Sequence, residues 1–589
     1  MQDTAQTLSR PADLLVKALE VQGVDTVFGV PGESYLAVLD ALHDSAIRFV
    51  PNRHEGGAAF MAEALAKLTG RVGICFVTRG PGATNAAIGV HTAMQNATPM
   101  VLFVGQVARS MRGREAFQEI DYRAMFGSVA KWAVEIEEAS RVTEIVARAF
   151  TVALSGRPGP VVVALPEDML VEQVAAQSLS APVVPAMPAA EPAVVAAAAR
   201  ALIAAERPLI MLGGGGWDGD PSGRAALAAL TTAAEAAALP IVVTFRCQDL
   251  INNNSPAYVG DASVGMTPTV KRLIREADTL LAINLRFGEN TTDGYTLLEV
   301  PEPRQRLIHV HPDAGEIGKI YRPAMAVQAG PVVFAAAMAD LLPELLAEEV
   351  ETAQRDARLA WQADGRAAYE AGFDLPPQPE GLDMGAVMAT LRARLPSDAI
   401  LTNGAGNFAI WPSRLFRYGP AHRLLAPQSG AMGYGLPAAI AAKAMFRDRV
   451  VVCFAGDGDV QMTMAELGTA MQIDARPILL VVNNASYGTI RMHQERHYPA
   501  RISATRIENP DYLAIAAAYG MPGERVETTE AFAPALERAL ASPTGALIEL
   551  IQPTEALTPR ESLSAMRATA LARDRAARQR SVDDTPEGA

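Results

Sequence analysis

Residues 449–490 read RVVVCFAGDGDVQMTMAELGTAMQIDARPILLVVNNASYGTI, and this stretch decides the fold. It holds two continuous apolar runs, Val450 to Ala455 and Ile478 to Val482, each closed by turn-forming residues. The first run ends in Gly456-Asp457-Gly458; 24 residues later (459–482) the second ends in Asn483-Asn484. Unbroken β-branched runs of this length predict strands buried on both faces, as in a parallel sheet covered by helices. In such sheets ligands bind beyond the carboxyl ends of the strands, so both loops are predicted to meet a ligand. Asp457 offers a carboxylate and Asn484 a side-chain carbonyl. Two hard oxygen donors are too few for a calcium cage but suit Mg²⁺, which fills its shell with phosphate oxygens and water. The flanking glycines let backbone N–H groups approach a phosphate closely.

The same pattern extends outward. Short apolar runs alternate with alanine-rich helical stretches: VGICFVT, PMVLFVGQ and GPVVVALP; then PLIMLGG, PIVVTF, TLLAINL and LIHVHP; then AILTNG, RVVVCFA, PILLVV and GALIELIQP. The predicted fold class is α/β, with three doubly wound parallel-sheet domains in series. Two proline-rich seams, APVVPAMPAAEP at 181–192 and DLPPQPEGLD at 374–383, read as extended linkers. The expected boundaries are 10–180, 192–345 and 383–557, followed by a tail, 558–589, read as a terminal helix with a frayed polar end.

Composition narrows the function. The chain has 589 residues, half of them hydrophobic, enough for several cores. Lys plus Arg is 51 against 65 for Asp plus Glu, a net charge of −14. That balance argues against nucleic acid and against an anionic membrane surface as partners. Cys75, Cys247 and Cys453 are scattered, with no CxxC, and read as buried small hydrophobes. No apolar stretch approaches a membrane span and the N-terminus shows no signal pattern, so a soluble, cytoplasmic protein is expected.

The Gly456-Asp457-Gly458 and Asn483-Asn484 pair resembles the diphosphate-anchoring motif of thiamine-diphosphate (ThDP) enzymes. The resemblance implies that Asp457, Asn484 and the backbone carbonyl of Ser486 are metal ligands, with Gly456, Gly458, Asp459 and Tyr487 around the cofactor. It names the three domains pyrimidine-binding, central and diphosphate-binding. The family also uses a glutamate from the first domain. Glu55, after the short strand IRFV and opening a small-residue helix, matches it. By itself a glutamate there complements the helix dipole. By resemblance, Glu55 is the catalytic residue that bonds the cofactor's aminopyrimidine ring, chemistry that requires a dry carboxyl with raised proton affinity. TRGPGATN at 78–85 matches the segment lining that ring, which brings in Thr78, Pro81, Gly82 and Asn85; Thr84 or Asn85 is also able to cap the helix that follows. Gly32, Gln118 and Gly404 are further cofactor-binding candidates. QSGAMGYGLP adds Gln428, Gly430 and Met432, the last as the bulky residue under the cofactor's bend.

The likeness spans about residues 10–555 and is nearest the acetolactate-synthase branch, through VFGVPGESYLAVLDAL, AFQEID, LRFGENTTDG, VHPDAGEIGK and DVQMTMAEL. It implies a 2-oxo acid substrate, decarboxylation with carboligation, a role in branched-chain amino acid biosynthesis, and a homodimer or homotetramer whose sites form between subunits. Phe117, Gln118 and Arg286 are retained as substrate-side residues. Three positions depart. His493 stands where the family has a tryptophan, Glu167 replaces the lysine of a Pro-Lys-Asp, and Gly288-Glu289 replaces Asp-Asp. These leave the acceptor open. The alternative to a synthase is a simple lyase acting on a 2-oxo acid or an acyl-CoA substrate, and an oxidase that passes electrons to FAD is third; a non-catalytic relative is the reading from another class. By the resemblance the central domain holds FAD, an ADP-like or coenzyme A group, or nothing, and the choice is left open: GGGWDG at 214–219 fits GxGxxG, a weak pattern, and Asp313 stands where an acid can meet a ribose.

Overall fold

The computed structural model describes residues 8–175, 177–348, 352–376, 378 and 381–583. The chain forms two compact units. The first takes residues up to Ala371 together with Arg417–Ser429; the second takes Gly372–Phe416 and everything from Gly430.

The first unit holds two parallel six-stranded sheets. One runs in the order Arg48–Pro51, Thr26–Gly29, Gly73–Val77, Met100–Gln106, Pro160–Pro166, Trp132–Glu135. The strands Gly73–Val77, Met100–Gln106 and Pro160–Pro166 are buried at every residue, which is why they read as unbroken apolar runs. The second sheet runs Tyr258–Ala262, Ile241–Thr244, Pro208–Leu212, Thr279–Ile283, Arg306–His311, Met325–Gln328. In chain order this is 3-2-1-4-5-6, the doubly wound arrangement with a switch point between Pro208–Leu212 and Thr279–Ile283. The seam at 181–191 has no regular element but is tied down: Gln22 Nε2 donates to Ala181 O, and Gly330 N donates to Pro188 O.

One element was not foreseen. The helix Thr352–Ala371 straps the central sheet. Arg366 donates to the carbonyls of Asn253, Ser255 and Tyr258, and Trp361 donates to Pro208 O. The fully buried Arg358 donates to the carbonyls of Ala237 and Ile203. The helix carries few large apolar side chains and, Trp361 apart, is anchored by arginines on backbone carbonyls, so little of it reads as a core face.

The second unit orders its strands Ile400–Asn403, Val451–Gly456, Ile478–Asn483, Ala546–Ile551, Gly523–Val526, all parallel. The tail forms the helix Leu563–Asp583, and residues 584–589, where the frayed end was expected, lie outside the described residues. All three cysteines are buried and unbridged. Among the described residues no helix is long and apolar enough to cross a membrane.

Candidate active site

In the second unit, register puts the metal-binding candidates together. Gly456 pairs with Val482, so the next residues on both strands leave the sheet side by side. Asp457 is 3% exposed. Its Oδ1 accepts from Gly458 N at 2.9 Å and its Oδ2 from Asn509 Nδ2 at 2.9 Å. Burial pushes the Asp457 carboxyl above the usual carboxylate range, against hydrogen bonds from Asn509 and from the N–H groups of Gly458, Ala485 and Asn484. Asn484 turns its amide nitrogen to Gln552 Oε1 at 3.5 Å, while its Oδ1 is buried with no hydrogen-bond partner among the described residues. A buried carbonyl without a donor beside a desolvated carboxylate is a costly pair in a bare protein, and a divalent cation relieves both. The donor set therefore fits Mg²⁺. Ser486 O already accepts from Gly488 N at 2.8 Å and keeps a second lone pair.

Gly458 is required by contact: a Cβ there would sit 2.6 Å from the Tyr487 ring. Gly456 likewise meets Phe408. Asp459, 2% exposed, spends Oδ1 on the N–H groups of Ala405 and Gly433, at 3.1 and 2.9 Å. It ties the loop after Gly404 to the loop that carries the exposed Gly430 and the half-buried Met432. Asn509 is a further member of this cluster. It bridges Asp457 and Asn483, donating to Asn483 Oδ1 at 2.8 Å, from a loop with no periodic signal. His493 is exposed on the helix Gly488–His497 and stacks on His497, with ring centroids 6.1 Å apart. Gln428 belongs to the first unit, where its backbone N–H donates to Asn96 Oδ1 at 2.8 Å.

In the first unit, Gly29 pairs with both Pro51 and Phe76, so three strands end together. The loops beyond them carry Gly32, Glu55 and Thr78. Glu55 opens the helix Glu55–Thr69 and accepts from Asn85 Nδ2 at 2.9 Å. Asn85 lies on Pro81–Asn96, and the two helices approach closely where Gly89 meets Ala59, which is why both are rich in small residues. Neither Thr84 nor Asn85 caps Pro81–Asn96. Gly80 holds the cap position at φ +54°, Thr84 Oγ1 donates to Pro81 O, and Asn85 is turned to Glu55. Gly80 N donates to Tyr122 Oη at 2.9 Å, and a Cβ on Gly80 would meet Gln118 at 2.8 Å. Gln118 itself sits at φ +65°, a strained conformation for a residue with a side chain. Phe117 beside it is 73% exposed. Gly32 approaches the Thr78 side chain, and Pro81 and Gly82 form the first turn of Pro81–Asn96. Glu55 is half-buried, so this unit by itself does not supply the dry surroundings expected for it.

Two departures from the resembled pattern meet here. Arg79 of TRGPGATN, a segment that reads TSGPGATN in the resembled pattern, pairs at 2.7 Å with Glu167, which stands in place of the Pro-Lys-Asp lysine. Glu33 is the second partner of Arg79, at 3.2 Å.

The central sheet opens a cavity of about 370 Å³ at its switch point, lined by Gly214, Asn284, Arg286, His309, His311 and Glu316. Arg286 Nη2 donates to Gln95 Oε1 at 2.7 Å. GGGWDG is a loop, not a helix-opening fingerprint: the next helix, Gly223–Ala236, starts beyond it. Asp313 does not line the cavity either; its Oδ1 accepts from Gly315 N.

Three family models of the thiamine pyrophosphate enzymes match the chain. They are the N-terminal TPP binding domain at residues 10–125, the central domain at 195–338 and the C-terminal TPP binding domain at 404–550. The acetolactate synthase large subunit of Parasynechococcus marenigrum is 34% identical, over 92% of this chain and 88% of its own. Acetolactate synthase isozyme 2 large subunit of Escherichia coli is 31% identical, over 90% and 93%. A probable acetolactate synthase large subunit of Methanocaldococcus jannaschii is 30% identical, over 93% and 92%.

Proposed function

The chain belongs to the thiamine pyrophosphate enzymes as an acetolactate-synthase-like member, and we propose that it decarboxylates a small 2-oxo acid and joins the remainder to a second carbonyl compound, with Mg²⁺ and ThDP. The observation that carries this reading is a desolvated Asp457 carboxylate at the end of one strand and, at the end of the adjoining strand, an Asn484 Oδ1 that has no hydrogen-bond partner among the described residues. Asp457, Asn484 and the Ser486 carbonyl would hold the cation, and the N–H groups beside Gly456 and Gly458 would face the diphosphate. Bound ThDP supplies an electron sink for the bond to CO₂. Glu55 would hold a proton at the aminopyrimidine end, its carboxylate oriented by Asn85. The half-buried state of Glu55 supports a site completed by a second copy, in a homodimer or homotetramer. The acidic, unbridged chain supports a cytoplasmic setting.

We propose that the switch-point cavity, where doubly wound sheets bind ligands, takes an adenine-nucleotide group, either FAD or an ADP-like or coenzyme A group. An absorption spectrum of fully loaded protein without a flavin band would remove FAD. A second reading, a lyase that protonates its product instead of extending it, is favoured by His493 in the acceptor-choosing position and by the Arg79–Glu167 pair. Product analysis decides: pyruvate alone, then with other 2-oxo acids and aldehydes, is expected to give an acetohydroxy acid. Free aldehyde as the sole product would replace the synthase reading with the lyase.

A further inference from the structure

Beyond the last strand, Ala546–Ile551, the chain returns to the candidate ligand loop three times. Gln552, 3% exposed, is the first return. Its Oε1 takes the Asn484 amide at 3.5 Å and its Nε2 donates to Ala556 O at 2.7 Å. This contact orients Asn484 so that Oδ1 is left for a cation. Leu557 is the second. It packs on Gly488, where a Cβ would come within 2.9 Å of Leu557 and 3.3 Å of the Asn484 amide nitrogen. The backbone just after Ser486 is thus wedged between the ligand and the tail.

The third return is the strongest. The helix Leu563–Asp583 lies against Gly488–His497, the helix that continues the ligand loop. Met492, Leu557, Leu563 and Met566 form an apolar cluster between them. Beside it Arg567 makes a two-pronged contact with Glu495, Nε to Oε2 at 2.8 Å and Nη2 to Oε1 at 2.7 Å. Glu495 has no exposed surface; it also takes Arg491 at 2.8 Å and the N–H of Ala500 at 2.9 Å. One buried carboxylate therefore fixes its own helix, the turn that follows and the C-terminal helix. A planar fork on a carboxylate sets direction as well as distance.

We propose that the segment Gln552–Arg567 is part of the cofactor anchor, and that Arg567, acting through Glu495, is a positioning residue for the Asn484–Ser486 ligand loop. The inference rests on the Mg²⁺/ThDP reading of that loop. Supporting partners of metal ligands typically change metal affinity about 10–100-fold when removed. Full-length Arg567→Met, which keeps much of the stem's packing, is expected to lower Mg²⁺-dependent ThDP affinity by about tenfold or more in calorimetric titration. Turnover at saturating cofactor should change far less. Arg567→Lys should recover part of the affinity, because it restores charge without the fork. A variant with a lower Tm and wild-type ThDP affinity would overturn the proposal, since a merely structural helix predicts that pattern. Wild-type protein that binds no ThDP with Mg²⁺ would overturn both this inference and the reading beneath it; wild-type binding matched by Arg567→Met would overturn the inference alone.

Discussion

Asp457 and Glu55 are both carboxylates set just beyond parallel strands, but their surroundings differ. Asp457 is 3% exposed, held by a backbone N–H and by Asn509, and flanked by the Asn484 carbonyl oxygen, which has no donor among the described residues. Glu55 is half-buried and held by the Asn85 amide. The two sheets are built alike: the five strands of the second unit follow the same relative order as the five that run from Thr26–Gly29 to Trp132–Glu135. What differs is the loop chemistry. A site for a cation and a diphosphate can be prepared in advance by one unit, because fixed dipoles and a desolvated carboxylate wait for charge. A carboxyl that works by holding a proton needs to be covered, and Glu55 is only half-buried.

The largest expected effect tests the Glu55 side. Glu55→Gln keeps the amide contact and removes the proton-holding group; turnover should fall about 10²–10⁴-fold with Tm preserved. Full activity would take Glu55 out of the mechanism. Next comes Asp457→Asn. It should abolish Mg²⁺-dependent ThDP binding in calorimetry without lowering the Tm of the metal-free protein, since it removes a buried charge. The pH dependence has a defined sign. Burial raises the folded-state proton affinity of Asp457, so the metal-free fold is favoured below the ordinary carboxylate range, and this stability is lost as pH rises through the raised value. Mg²⁺ needs the ionised form, so ThDP affinity should fall as pH is lowered through that range; a flat profile would place the cation elsewhere.

Smaller effects sharpen the substrate side. Arg79→Ser leaves Glu33 and Glu167 facing each other with no cation between them. It should cost about 1 kcal/mol in denaturant unfolding and shift the acceptor preference measured by product ratio. Restoring the resembled pattern with Arg79→Ser plus Glu167→Lys should recover stability. The smallest effect is expected at His493→Ala: stability within about 0.5 kcal/mol, since the ring is exposed and meets only His497 among its described ring contacts, but an altered product ratio. An unchanged ratio would remove His493 from acceptor choice.

Central strands were legible because burial on both faces leaves an unbroken apolar run; the short strands Trp132–Glu135, Met325–Gln328 and Gly523–Val526 were not, since each has exposed or half-buried positions and little apolar run. The ligand loop was legible because glycine, aspartate and asparagine stand at strand ends for chemical reasons. Asn509, Gln552, Glu495 and Arg567 were not. A polar residue that acts through a neighbour far along the chain carries no local signal.

By itself, then, the sequence determined the α/β class, the parallel sheets and the chemistry offered at Asp457, Asn484 and Glu55, because each follows from residue type and local spacing. Only tertiary structure decided that Asp457 is dry while Glu55 is half-open, that Arg79 answers Glu167, and that Gln428 falls in a different unit from Met432. Burial and pairing are set by what folds over a side chain, and those neighbours lie tens to hundreds of residues away.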